Sequence, residues 1–356
     1  MTQILAALPP DWSCAIVSFS HGGFQQVRIL ITGASGLLGN NVARIAQNRG
    51  MEISSLSRSD RKNRAYDGLN IDVFQVDLAD RENLTKVFET RVDAIIHCAA
   101  NIHIGWKCLE QGMQVNRNGT KYLLDEAGRR GIKFIHVSTV NTLAVGSKNK
   151  IVDEDTPGDG QIPCTYVVTK MAAERLAVDA AQSGQNVVIV HPGFMLGPWD
   201  WKPSSGKMIQ ALEGFAPLSP SGGCTVCDPR DVAKAILDAI DRGVSGRHYI
   251  LGGENMTYLE LWRRICAELG KKGPFTYLRA PGRIIAGTIG DTISRFRKDE
   301  LEINSAAIGI SSQTQWYNSQ RAISELGYQP RPADESIRDA VQWLRQNNLL
   351  KRVANG

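Results

Sequence analysis

No stretch of this 356-residue chain runs to about 18 consecutive apolar residues, the length of a membrane-spanning helix, so no membrane span is expected. A large excess of one charge is missing too. Lys+Arg number 41 against Asp+Glu 36, a formal net charge of +5. That balance is too mild for a nucleic-acid surface and suits an anionic small ligand held by a few local arginines. The seven cysteines are scattered and odd in number, which excludes a small disulfide framework and fits reduced thiols in a cytoplasm. Cys224 and Cys227, in CTVC, have metal-like spacing. They lack a second pair and a nearby His-x-x-x-His, so no metal is expected and both read as small apolar strand residues. Internal repeats and low-complexity tracts are absent. Residues 1–26 lack the basic start and apolar centre of a signal peptide and carry Pro9, Pro10 and Asp11. They read as an ill-ordered extension, or as the product of an upstream start codon.

What is present is the composition of a folded α/β chain, 42% hydrophobic and 22% charged. Val27 to Thr32 is a short β-branched run that predicts a buried parallel strand. Gly33, Gly36 and Gly39 follow it, then helical residues Asn40 to Asn48, closed by Gly50. Strand, glycine turn and helix together are what a dinucleotide needs. Glycines admit its pyrophosphate to the backbone, and the helix start offers N–H groups to its charge. The spacing is G-x-x-G-x-x-G rather than the G-x-G-x-x-G fingerprint.

The second strand, in MEISSLSRS, lacks the terminal acid that would bond the ribose hydroxyls of NAD. Ser57 and Arg58 stand there, with Arg61, Lys62 and Arg64 just beyond. Arginine in that place accommodates a 2′-phosphate, so NADP(H) is preferred, with NAD(H) as the alternative. Further strands are predicted up to Asp77 and Leu78, over Val92 to Ala100, over Ile132 to Thr139 and over Val187 to His191, with helices between. Cys98, Ala99 and Ala100 are small enough for a cofactor to lie against the backbone. Strands alternating with helices imply a doubly wound parallel sheet.

Ser138 and Thr139 end the fifth strand, where ligands sit in such sheets. Tyr166 and Lys170 follow in TYVVTK, four apart and therefore on one helix face. Tyrosine has an ordinary pKa near 10, and a neighbouring ammonium favours its phenolate. Tyr166 can then exchange a proton with a substrate oxygen that Thr139 also holds. His97 and His136 lie inside strands and read as packed core histidines. His103, just past a strand end, is a candidate for the substrate pocket.

Together the pieces TGASGLLG, VDLAD, HCAA, VNRNGT, HVST, YVVTK and VIVHPGFMLGP resemble the extended short-chain dehydrogenase/reductases. The segments GPWDWKPSSGKMI, GRHYILGGENMTYLELWRRI and ELGYQPRPADESIRDAVQWLRQ look like dihydroflavonol-4-reductase-like proteins and hopanoid-associated sugar epimerases. The resemblance implies a Rossmann fold with a smaller, mostly helical substrate domain. It divides the chain into 27–190 with 226–247 returning to it, and 191–225 with 248–350 for substrate. It implies that Gly33, Ser35, Gly36, Leu37, Leu38, Gly39, Arg58, Asp77, Leu78, Ala99, Ala100, Pro192 and Gly193 line the cofactor. Lys170 would hold its ribose beside Tyr166, and Asn116 would support the proton network. Homodimers through helices of the main domain are common among such proteins.

Trp199 and Trp201 read equally as a grip on a ring-bearing substrate or as a plug between domains. Arg230 is the candidate substrate anchor, with Asp231 as its partner or helix cap. Sugar 4,6-dehydratases carry an acidic pair directly after the threonine; here Val140 and Asn141 follow. STVNTLAVG is also about two residues longer than usual there. The leading expectation is a cytoplasmic NADP(H)-dependent reductase of a ketone or aldehyde on a small metabolite. A nucleotide-sugar 4-epimerase retaining NAD is the alternative, and a redox-sensing binding protein without turnover is a third.

Overall fold

The β-branched run that opens the fold forms β1, Arg28–Thr32, with its last four residues buried. This computed structural model describes residues 26–58, 63–78, 80–147 and 149–350. The extension expected at residues 1–26 therefore lies almost wholly outside the described residues, as do Arg61 and Lys62. Eleven further strands follow: β2 Glu52–Ser57, β3 Asp72–Gln75, β4 Ala94–His97, β5 Lys133–Val137, β6 Val187–Pro192, β7 Phe194–Met195, β8 Leu218–Ser219, β9 Gly223–Cys227, β10 His248–Leu251, β11 Glu254–Thr257 and β12 Thr276–Tyr277. The α-helices are α1 Leu37–Asn48, α2 Arg81–Val87, α3 Leu109–Gly112, α4 Gly119–Arg130, α5 Thr165–Gln182, α6 Gly206–Ala211, α7 Pro229–Arg242, α8 Tyr258–Leu269, α9 Ala280–Arg295, α10 Ser305–Ser312, α11 Gln320–Leu326 and α12 Ala333–Gln346.

Seven strands form one parallel sheet in the order β10-β6-β5-β4-β1-β2-β3. Alternate residues of each strand face opposite layers, which explains the two cores. Ile29, Ile31, Ile96, Ile135, Val188 and Val190 meet Val42, Ala43 and Ala46 of α1 and Val232, Ile236 and Ala239 of α7. Leu30, Ile95, Phe134, Val187 and Ile189 meet α4 and α5 through Leu123, Leu124, Ala127 and Ala177. The sheet is thus covered on both faces, and its strands read as continuous apolar runs. The chain reverses direction across the sheet at β1, opening a crevice at the carboxyl ends of β1 and β4.

Beyond β6 a second unit begins. β7, β9 and β11 make a three-stranded sheet, and β8 pairs with β12. Leu261, Ile265 and Leu269 of α8 pack with Ile337, Val341 and Leu344 of α12 in its core. The main sheet also takes in His248–Leu251, just past the 226–247 segment expected to return to it. Cys224 and Cys227 are buried residues of β9, and the six cysteines among the described residues are all free.

Candidate active site

β1 delivers the chain into the turn at Gly33, whose φ is +76°, a conformation that favours glycine. A Cβ there would lie 2.8 Å from Ala99 N, so β1 and the end of β4 touch backbone to backbone. Gly39 is pinned the same way, with Gly33 O only 2.3 Å from its would-be Cβ. Gly36 differs: a Cβ there would meet only Gly33 O, at 3.4 Å. Gly36 is also the N-cap of α1, with no side-chain cap and no acid in the first turn. The helix therefore presents bare N–H groups and its positive end to the crevice.

The crevice is a cavity of about 440 Å³ lined by the whole set of cofactor residues expected from the sequence, from Gly33 and Arg58 through Asp77 and Ala99 to Pro192 and Gly193. An anionic dinucleotide fits its donor set: a glycine turn under an uncapped helix start, and Arg58 at the end of β2 where an acid would repel a phosphate. Thr139, Tyr166 and Lys170 line the other end of the same cavity.

Helix α5 sets that end. Its first residue is fastened by Thr165 N to Gly105 O at 2.9 Å and Thr165 Oγ1 to Lys107 O at 2.7 Å. Lys170 donates to Val137 O at 2.6 Å. The buried lysine is pushed down to about 8 by desolvation, which Glu174 and then Cys98 oppose. Tyr166 is raised above its ordinary value by desolvation, with its hydrogen bond to Thr139 pulling the other way. The lowering expected from sequence needs neighbouring positive charge, from the ammonium and a bound nicotinamide; in the cavity as it stands, loss of water around the phenol sets the direction. Asn141 N and Nδ2 donate to Thr139 Oγ1 at 3.3 and 3.1 Å and fix that hydroxyl. The longer loop folds as a 3₁₀ turn over Val140–Thr142.

Asn116 does not line the cavity. It is buried in a π-helical turn, Met113–Asn118, that precedes α4. Its side chain accepts from Asn101 N at 2.6 Å and donates to Asn101 O at 2.9 Å and Thr169 Oγ1 at 2.8 Å. It ties the loop after β4 to the back of α5. His97 is buried between Thr32 and Thr120 hydroxyls at 2.7 and 2.9 Å and pushed down to about 3 by burial, then by Lys170. His136 is fully buried without a hydrogen-bond partner, and the same desolvation keeps it neutral.

The four expected substrate residues lie off the cavity wall. Arg230 is spent on Asp228, at 2.8 and 2.7 Å, and on Asp339 at 2.6 Å. Asp228, not Asp231, caps α7, while Asp231 pairs with Arg331. Trp199 and Trp201 join Trp343 against the second core. Arg44 of α1 stacks on Trp199 at 3.4 Å, and Arg64 stacks on Trp201 at 4.8 Å. That is the interdomain plug of the two readings, and Asn41 Nδ2 bonding Pro198 O at 3.0 Å strengthens it. His103 hydrogen-bonds Glu300 at 2.8 Å.

Sequence reasoning missed Met195 and Ile102, which line the cavity, and Lys202 and Ser204 of the tryptophan loop line it where the tryptophans do not. It also missed Glu174, one helical turn beyond Lys170 and on the same face. Glu174 takes a short hydrogen bond from Ser138 and stands 3.9 and 3.8 Å from His191 and His248. Burial pushes Glu174 up, but His191 and the Ser138 and Thr142 hydroxyls outweigh it and hold the carboxylate charged. The i, i+4 spacing was a readable signal; the strand histidines that face it were not.

A parallel sheet reversing at β1, a glycine turn under a helix start and a Thr–Tyr–Lys set at one cavity define a nucleotide-dependent enzyme of the extended short-chain type. The family model "NAD dependent epimerase/dehydratase family" matches residues 29–252, and the chain belongs to that family. It is 28% identical over 328 residues to sterol demethylase protein B of Methylococcus capsulatus, covering 90% of this chain and 99% of that one. It is 27% identical over 330 residues to a Synechocystis protein provisionally named dihydroflavonol 4-reductase, covering 90% and 95%. Among solved structures, that of gox2253 superposes with a TM-score of 0.79 at 30% identity, covering 92% of this chain and all of the other. No helix among the described residues is long and apolar enough to cross a membrane.

Proposed function

We propose that this chain is an NADP(H)-preferring reductase of a ketone or aldehyde on a small, ring-bearing metabolite. The observation that carries the proposal is one continuous cavity with Gly36 and Arg58 at one end and Thr139, Tyr166 and Lys170 at the other. Arg58, in place of an acid, supports the 2′-phosphate. The apolar Met195 and Ile102 beside the reacting end support an apolar ring. The names of the two relatives, one a sterol demethylase protein and one a reductase, point the same way.

Held by the Gly33–Gly39 turn, Arg58 and Lys170, a nicotinamide cofactor would supply the hydride for the carbonyl carbon. The chain's own residues handle the oxygen. Thr139 hydrogen-bonds it and fixes its direction. Tyr166, kept protonated near neutral pH by desolvation, delivers the phenolic proton to it, and the alcohol forms. The Lys170 ammonium, held by Val137 O, stabilises the phenolate that remains. Asn141 keeps Thr139 in register, and Asn116 keeps α5 in place behind it.

The competing reading, a sugar epimerase with retained NAD, needs cations for a diphosphate. Arg230, the candidate read from the sequence, is engaged by two carboxylates. The test is to purify the protein without added cofactor, denature it and weigh the released nucleotide. An empty site that takes up NADPH more tightly than NADH, and oxidises it with a cyclic ketone, supports the reductase. Stoichiometric released NAD sinks it.

A further inference from the structure

Helix α9 is amphipathic in the reverse of the usual sense. A surface helix normally turns its large apolar side chains inward. Here Gly287, Gly290 and Ser294 are the buried residues. Cβ atoms built on the two glycines would lie 2.0 Å from Ile303 O and 3.1 Å from Ser305 Cα, so α9 seats on the start of α10 through its smallest residues. Its large residues face out: Ile284 is 69% exposed, Ile285 60%, Ile289 54% and Ile293 43%, and Phe296 just beyond is 88% exposed. A contiguous apolar ridge of this kind marks an interaction surface.

The charges around the ridge select the partner. Arg279 lies before α9, and Arg295, Arg297 and Lys298 lie at and after its end, all exposed. The acids of the same segment are mostly engaged. Asp291 accepts from Ser305 N at 3.0 Å, the Glu300 side chain is 3% exposed and bonded to His103, and Glu302 pairs with Lys207. Asp299 alone remains exposed and without an assigned contact. Both ends of the ridge are therefore cationic. In a two-fold pairing of two copies along it, cation would oppose cation in either direction. An anionic lipid surface meets both the apolar ridge and its cationic flanks.

We propose that α9 docks this enzyme on an anionic phospholipid surface, with the ridge sunk among the headgroups. The placement relative to the cavity fits this. Lys107 Nζ bonds Ser294 O and Arg297 O at 2.6 and 2.8 Å, tying the end of α9 to the 102–107 segment. In that segment Ile102 lines the cavity, and Ile102 and Trp106 are 55% and 47% exposed. The C-terminal end of the docked helix is thus tied to a segment whose Ile102 lines the cavity, which puts the cavity within reach of a lipid-dissolved substrate. The docking does not depend on which carbonyl is reduced.

Flotation of the full-length protein with vesicles tests it, using phosphatidylcholine alone and phosphatidylcholine with phosphatidylglycerol. The protein should float with the anionic vesicles and much less with the neutral ones. Ile285→Ser with Ile289→Ser should lower the partition constant about tenfold or more, and Arg295→Glu with Lys298→Glu about thirtyfold or more at low salt. All four side chains are exposed, so melting temperatures should stay within about 2 °C of the parent. The charge variant alone decides the matter should the apolar one fail to fold. Equal flotation on both vesicle types, no flotation, or binding unchanged in the charge variant overturns the proposal. A dimer in sedimentation velocity that the isoleucine variant dissolves also overturns it and makes the ridge a protein interface.

Discussion

The glycine turn makes a prediction with two opposite signatures. At Gly39 a Cβ would lie 2.3 Å from Gly33 O, 2.7 Å from Gly33 C and 3.0 Å from Ala34 Cα. All three atoms are backbone, so no side chain can swing aside. Ordinary contacts need about 3.5 Å, so the start of α1 must retreat by about 1 Å. Behind it Val42, Ala43 and Ala46 are fully buried, and the core resists. Overpacking of this kind costs about 1–3 kcal/mol, which lowers Tm by roughly 2–12 °C in a domain of this size. At Gly36 the added methyl meets only Gly33 O at 3.4 Å, and it enters the cavity. Alanine is the poorer N-cap by about 0.5–1 kcal/mol, so Gly36→Ala should lower Tm by only about 2 °C. It should cost tenfold or more in NADPH affinity, because the methyl occupies the place of the pyrophosphate. Thermal melts with and without NADPH, with a fluorescence titration, separate the cases. Gly39→Ala should melt early. Gly36→Ala should melt near the parent and lose the NADPH-induced rise. Wild-type NADPH affinity in Gly36→Ala would refute the placement of the pyrophosphate, and an unchanged melt of Gly39→Ala would refute the backbone contact.

Three further outcomes are expected. Tyr166→Phe should lower turnover by about 10²–10⁴-fold with cofactor binding and fold intact, measured as NADPH oxidation; near-normal turnover would remove the proton donor from the mechanism. The pH profile of reduction follows from two groups. Tyr166 is raised and stays protonated through neutral pH, while Lys170 sits at about 8 and loses its charge as pH rises through that value. kcat/KM should be flat below about 8 and fall above it, and a profile level to pH 10 would show that the lysine charge is not needed. Arg58→Glu should raise the KM for NADPH about tenfold or more and leave NADH unharmed, since a charged contact to phosphate is lost; equal effects on both would take the 2′-phosphate away from Arg58.

The parallel sheet was legible because its strands are buried on both faces and therefore read as unbroken β-branched runs. Their ends were not. The fourth strand was expected to reach Ala100 and the fifth Thr139, but pairing stops at His97 and Val137. The residues beyond leave the ladder to line the cavity, and an apolar or small residue looks the same in either role. The helix between the fourth and fifth strands begins in a π turn at Met113–Asn118. A single extra residue per turn leaves no mark on a 3.6-residue pattern, yet it is what aims the Asn116 side chain at Asn101 and α5.

The substrate end failed for a different reason. A cofactor is recognised by backbone shape and by hydroxyl, phenol and ammonium groups at fixed places in the chain, so its site can be read locally. A substrate anchor is an unspent charge, and whether a charge is spent depends on distant residues. Arg230 looked available until Asp339, 109 positions away, took half of its guanidinium. Trp199 read equally as a ring platform and as a plug, and only Arg44 and Trp343, distant in the chain on either side, choose between them by closing over it. The same long-range pairing works in reverse at α9. There the seating of Gly287 and Gly290 on the 303–305 backbone turns the isoleucines of the helix outward. Arg230 is spent on two carboxylates, whereas Met195 and Ile102 line the cavity beside Lys202 and Ser204, so the wall offers an apolar substrate more than Arg230 does. Replacing Met195 with Glu should therefore cost more in the KM for an apolar ketone than Arg230→Ala costs. Steady-state kinetics on the two variants, each checked by melting temperature, would decide it, and a larger penalty at Arg230 would return the substrate to an ionic anchor.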